Sequence, residues 1–101
     1  MKKAKIAPRK TSKPKPKRKL IYDKEGLTLL AARIKELRKQ KKFTQLSLAT
    51  EAELPLSQIA RIEVMATNPT VSTIFKISRA LDCSVSELFD FKLSKKSNKN
   101  R

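Results

Sequence analysis

Residues 43–63, FTQLSLATEAELPLSQIARIE, carry two short apolar rhythms separated by a break. In the first, Leu48, Ala49 and Ala52 fall at i, i+1 and i+4. In the second, Ile59 and Ile62 stand at i and i+3, so each segment predicts a helix with a narrow apolar stripe. The two stripes can face each other and a shared core. Ala49 suits their closest approach, because short helices crossing at a steep angle need a small side chain where the backbones meet. Turning Ile59 and Ile62 inward at about 100° per residue sends Ser57, Ala60, Arg61 and Val64 outward, with Leu56 and Gln58 on the flanks.

Two such helices joined by a tight turn have the layout of a helix-turn-helix, in which the second helix reads DNA. On that reading the outward arc is the reading surface. Arg61 is its strongest element, since a guanidinium can bond O6 and N7 of guanine together in the major groove. The alternative for Arg61 is a solvated surface arginine. Ser57 can bond a base edge or a phosphate, while Leu56 and Val64 offer apolar contact that suits a thymine methyl.

These residues resemble the Cro/C1-type (Xre-like) helix-turn-helix family of phage and bacterial regulators. The likeness runs from about residue 32 to residue 89. It is carried by IKELR at 34–38, TQxxLA at 44–49, IARIE at 59–63, NPT at 68–70 and LDCSVSELF at 81–89. The resemblance implies an all-α, lambda-repressor-like bundle of about five short helices. It also implies that Gln45 opens the first helix of the pair and contacts the DNA backbone, while Leu56, Ser57 and Arg61 face bases. Lys42 and Thr44 join Gln45 as expected phosphate contacts, and Lys39 and Lys41 lie nearby at the end of the preceding helix. The chain departs from the family pattern at two glycine positions, occupied here by Glu53 and Met65, where a side chain at positive φ costs about 1 kcal/mol. Pro55 stands where a serine or threonine cap is usual; at the first helical position its fixed φ would help instead.

The formal charge of +16 is unevenly spread. Residues 1–20 hold ten Lys or Arg and no acid, residues 92–101 hold five and none, and residues 21–91 hold ten against nine acids. The stretch KTSKPKPKRK has little to bury and repels itself, so residues 1–20 are expected to be a disordered basic arm that seeks phosphates, or else a solubilising tail. Residues 92–101 are expected to be a basic flexible tail, leaving 21–91 as a single DNA-binding domain with one modest core.

Within that domain the pattern predicts helices beyond the central pair. Leu27, Leu30, Ala31, Ile34 and Leu37 form a stripe for a first helix near 24–40. Thr70 caps a fourth, whose buried stripe is Ile74, Ile77, Ala80 and Leu81. Ser84 and Glu87 form a capping box that starts a fifth, carrying Val85, Leu88 and Phe89, of which Leu88 and Phe89 are assigned to the core. Phe91 and Leu93 are then left apolar at a helix end. They predict either a homodimer contact or a terminal aromatic folded back as a lid.

Arg38 falls on the apolar side of the first helix, beside Ile34 and Ala31, and Glu63 projects near Ile59. A buried charge is costly unless paired, so the two are expected to meet as a structural ion pair in preference to a DNA role for Arg38. The resemblance implies the same pair.

Composition argues against an enzyme. There is no histidine, the single Cys83 can form neither an internal disulfide nor a zinc cluster, and Gly26 alone cannot build a phosphate-binding glycine loop. Cys83 is expected to be a buried, inert thiol, and Glu51 and Glu53 a solvated pair on a turn. No apolar run is long enough to span a membrane, and no signal peptide is read. No cofactor or metal is expected. The expected function is a sequence-specific regulator of transcription, a repressor that occupies an inverted-repeat operator in double-stranded DNA as a homodimer. The setting implied by the resemblance is the bacterial or phage cytoplasm, at the nucleoid. The alternatives are an antitoxin bound to a toxin partner, a small restriction-modification controller, and a nonspecific nucleic-acid binder driven by the tails.

Overall fold

Capping residues place the helix starts. In the computed structural model, which describes residues 21–95, Asp23, Thr44, Thr70 and Ser84 each accept a hydrogen bond from a backbone amide three residues on. The helices that follow are α1 (Lys24–Gln40), α2 (Gln45–Ala52), α3 (Leu56–Glu63), α4 (Val71–Ala80) and the single turn α5 (Val85–Leu88). Ser84 and Glu87 form the expected capping box. The Ser84 amide holds the Glu87 carboxyl below its ordinary value, so the box is complete above that value and is lost as pH falls through the depressed one. Pro55 caps α3 from outside the helix with φ −62° and ψ 144°, not from the first helical position. It supplies no side-chain bond, and its carbonyl receives Gln58 and Ile59.

The helix ends share one solution. Lys42, Glu53, Met65 and Asp82 have φ of 65°, 59°, 62° and 53°. After each, the next amide reaches back five residues: Phe43 to Arg38 at 2.9 Å, Leu54 to Ala49 at 2.9 Å, Ala66 to Arg61 at 2.8 Å and Cys83 to Ser78 at 3.1 Å. This is the Schellman closure, here built four times without a glycine. Phe43, Leu54 and Cys83 pack their side chains against the core as they close their helices. Glu53→Gly and Met65→Gly are each expected to raise stability by about 0.5–1 kcal/mol, the relief of the left-handed Cβ clash outweighing the added freedom of the unfolded chain. Urea titration of each variant, with an unchanged m-value, checks this.

The core is one cluster. Leu30, Ile34 and Leu37 of α1, Leu48 and Ala49 of α2, Ile59 and Ile62 of α3, and Ile74 and Ile77 of α4 meet Leu81 and Leu88. α3 packs on α1 and α2, α2 on α4, and α5 closes the other end against α1 and α4. No strand occurs among the described residues.

Three expectations change at the periphery. Leu88 is buried as expected, but Phe89 is 42% exposed and Val85 also faces outward, while Phe91 packs against the core. Phe89 therefore leaves the core place read for it, and Phe91 takes the lid place, the second of the two read for it, with ring centroids 6.0 Å apart. A one-turn α5 leaves too little helix for its stripe to extend to Phe89. Cys83 is half-buried, not fully buried; burial raises its thiol pKa against the opposing hydrogen bond from Ser78. The basic C-terminal segment begins tied down, with Ser94 donating through its amide and hydroxyl to Glu25 at 3.1 and 2.7 Å. Residues 1–20 and 96–101, and the expectations made for them, lie outside the described residues.

Candidate nucleic-acid interface

The outward face of α3 has the composition its angles dictate. Ile59, Ile62 and Glu63 are buried, Ser57, Arg61 and Val64 are exposed, Ala60 and Gln58 are half-buried, and Leu56 is exposed on the flank. Leu56, Ser57 and Arg61, the three residues read as base-facing, are thus brought together on one solvent-facing surface. Nothing else among the described residues covers Arg61 with a hydrogen bond or salt bridge.

The face is held by a buried polar knot. Arg38 Nε and Nη2 donate to the two oxygens of Glu63 at 2.7 and 3.0 Å, a bidentate pair between the ends of α1 and α3. A third Arg38 nitrogen donates to the Phe43 carbonyl at 2.9 Å, fixing the loop between α1 and α2. Gln45 Nε2 donates to Glu63 Oε1 at 2.9 Å, fixing the first turn of α2. Three helices meet at one carboxylate, and Arg38 ties the loop between α1 and α2 to them. The knot sets the position of α2 and α3 relative to α1, and therefore the angle at which the α3 face is presented. The ion pair read from helical angle is thereby present; the link from Gln45 to it was not legible, because eighteen residues of sequence hide the proximity.

The residues read as phosphate contacts cluster at the start of α2. Gln45 is its first helical residue, and Thr44 is its cap, with Thr44 Oγ1 accepting from the Ser47 amide at 2.9 Å and Ser47 Oγ accepting from the Thr44 amide at 2.8 Å. The amides of Gln45 and Leu46 have no intrahelical acceptor by position, and the helix dipole leaves partial positive charge there. Lys42 is exposed two residues before the cap. Lys41 instead turns its ammonium to the Asp82 carbonyl, 3.4 Å away. Two further contacts were not foreseen: Tyr22 donates its hydroxyl to the Met65 carbonyl at 3.2 Å, and Asn68 donates to the Ile21 carbonyl at 3.1 Å. These bonds fasten the root of the basic N-terminal segment to the loop that leaves α3.

A groove of about 330 Å³, apolar in character, is lined by Ile21, Leu27, Leu30, Val71, Phe89 and Leu93 among others. No group of acids and cysteine able to hold a metal ion occurs among the described residues, and none of their helices is long and apolar enough to cross a membrane.

The sequence is similar to known regulators over this same region. It is 43% identical over 56 residues, 55% of this chain and 39% of the relative, to the immunity repressor protein of Bacillus phage phi105. It is 37% identical over 65 residues, 63% of this chain and 59% of the relative, to the HTH-type transcriptional regulator SinR of Bacillus subtilis. The solved N-terminal DNA-binding domain of SinR superposes with a TM-score of 0.60 at 34% identity, covering 66% of this chain and 99% of that one. The restriction-modification controller protein C.AhdI of Aeromonas hydrophila superposes with a TM-score of 0.61 at 33% identity, covering 62% of this chain and 96% of that one. The chain thus spans less than two thirds of the length of the two curated relatives. The helix-turn-helix model HTH_3 matches residues 34–88, more than half of the chain and the whole span of the knot and the α3 face, so the protein belongs to the helix-turn-helix family whose Cro/C1-type motifs its sequence carries.

Proposed function

We propose that the protein is a sequence-specific regulator of transcription that lays α3 in the major groove of double-stranded DNA and acts by occupying an operator. The observation that carries this is the exposed Leu56, Ser57 and Arg61 face, oriented by a buried bidentate ion pair. Arg61 bonds a guanine edge, Ser57 bonds an adjacent base or phosphate, and Lys42 and the first turn of α2 at Thr44 and Gln45 take backbone phosphates. With one Gln45 hydrogen given to Glu63, its second amide hydrogen and its backbone N–H remain for phosphate. The repressor and regulator names of the two curated relatives support this reading, as does the DNA-binding domain of SinR.

Enrichment from a random duplex pool tests it: one recurring motif is expected, and no enrichment would overturn the reading. Arg61→Ala is expected to keep the fold and lose discrimination at one base pair of the motif, worth about 1–3 kcal/mol. Equal base preference in variant and parent would remove Arg61 from the reader.

A homodimer on an inverted repeat follows from the few base pairs a single α3 can contact. Phe89 and Leu93, 42% and 52% exposed beside the apolar groove, supply the surface for a second copy, replacing Phe91 in that role. Half-site centres are then expected about 34 Å apart. Sedimentation of Leu93→Glu against the parent checks the contact: the parent is expected as a dimer and the variant as a monomer. A second reading, a restriction-modification controller, is favoured by the 96% coverage of C.AhdI. A binding site upstream of an adjacent restriction gene would support it.

A further inference from the structure

The two basic ends of the chain join the domain at one corner. Residues 1–20 hold ten Lys or Arg and residues 92–101 five, with no acid in either. The first stretch runs into Ile21, whose carbonyl accepts from Asn68 at 3.1 Å, and Tyr22, whose hydroxyl donates to the Met65 carbonyl at 3.2 Å. In the second, Ser94 is bound through its amide and hydroxyl to Glu25 in the first turn of α1. Leu93 Cδ2 lies over Gly26, 3.7 Å from where a Cβ there would stand. Ile21 and Leu93 line the same apolar groove, so both roots stand on the rim of one face. That face carries knob and hole together, with Phe89 and Leu93 exposed beside a groove of about 330 Å³, the self-complementarity that a two-fold contact needs. Few acids offset the charge. Asp23 caps α1, Glu25 holds Ser94, and the exposed Asp90 stands between Phe89 and Phe91.

We propose, building on the second-copy contact at Phe89 and Leu93, that pairing of the copies is gated by a polyanion. Closing two copies face to face gathers four cationic segments around one seam, and their mutual repulsion opposes the apolar contact. The seam closes when an anion of many charges lies along the segments and neutralises them; in the proposed function that anion is the phosphate backbone of the duplex. Free copies are thereby held apart, and the duplex itself assembles the dimer. The gate has a signature in its salt dependence. Salt shortens the reach of the repulsion from about 30 Å at 0.01 M to about 10 Å at 0.1 M. Pairing of free copies therefore strengthens as salt rises, while binding to DNA weakens.

The test is sedimentation equilibrium of the full chain, free of nucleic acid, across a range of salt. The dimer dissociation constant is expected to fall by about tenfold between about 20 and about 500 mM salt. Inorganic polyphosphate of about twenty phosphates, added at low salt in an amount that leaves the ionic strength unchanged, is expected to restore the dimer. Lys13→Gln, Lys15→Gln, Lys17→Gln, Arg18→Gln and Lys19→Gln, made together, keep the chain length. They are expected to tighten the dimer at low salt and to flatten its response to salt. Leu93→Gln, which changes no charge, is expected to stay monomeric throughout. A dimer that Leu93→Gln abolishes, but whose affinity is flat in salt or falls with it, would overturn the gate and leave the second-copy contact standing. An undiminished salt response in the glutamine variant would also overturn it, since salting-out of the apolar face would then be the cause. Polyphosphate that pairs Leu93→Gln as well as the parent would replace the gate by simple bridging through the anion. A parent that is monomeric in every condition, or a Leu93→Gln variant that dimerises as the parent does without polyphosphate, would remove the second-copy contact itself and the gate with it.

Discussion

Glu63→Ala is expected to destabilise the domain by about 3–5 kcal/mol, because it leaves the Arg38 guanidinium buried without its anion. The loss has a second part: Gln45 Nε2 also loses its acceptor, at a cost of about 1 kcal/mol or more if water cannot reach it. For a domain of this size each kcal/mol moves the melting temperature by about 4–8 °C, so the midpoint should fall by at least 12 °C. Thermal denaturation followed by circular dichroism reads the effect. A midpoint within error of the parent would mean that water solvates the pair and that the knot does not hold the helices. Arg38→Met combined with Glu63→Leu separates charge from shape. Removing both charges together is expected to recover most of the stability, since replacing a buried pair by apolar groups is often neutral. Its DNA affinity should still fall if the knot sets the presentation of α3, because neither Gln45 nor the Phe43 carbonyl would then be tied to it.

The second large effect concerns binding. Deleting residues 1–20 removes ten of the cations and none of the acids. With about half of those cations at phosphates, affinity near physiological salt should fall about 100-fold, and the slope of log K against log salt should flatten by about 4. The loss should be equal for the enriched site and for random duplex, because phosphate contacts carry no base information. The Tyr22 and Asn68 bonds support this expectation, since they root the segment beside the loop that leaves α3. Binding measured from 50 to 300 mM salt decides. An unaltered slope would make residues 1–20 a spacer, and a loss confined to the specific site would make them part of the base reader.

The sequence by itself determined the helices, their inward faces and the ion pair. Caps are local: Thr70 and Ser84 sit within four residues of the amides they satisfy, so the starts of α4 and α5 were legible from short windows. Periodicity is nearly local, and over the seventeen residues of α1 it places Arg38 among apolar neighbours with little ambiguity. Once Arg38 and Glu63 both point inward, burial of charge leaves pairing as the stable outcome. The missing glycines at 53 and 65 likewise announced strained turns, and both residues have positive φ.

Tertiary structure alone decided the rest. Phe89 and Phe91 could not be ranked from sequence, because α5 is a single turn and the helical period ends where they begin. Which ring goes inward depends on the space left between α1 and α4, a volume set by residues far away in the chain. Pro55 could cap from inside or outside α3, and the choice follows from where the α2 closure at Glu53 and Leu54 delivers the backbone. The Gln45 bond to Glu63 and the Tyr22 bond to Met65 join residues eighteen and forty-three apart, so no local window contains both partners. Side chains that face solvent in their own helix acquire their partners only when another helix arrives, and sequence periodicity describes one helix at a time.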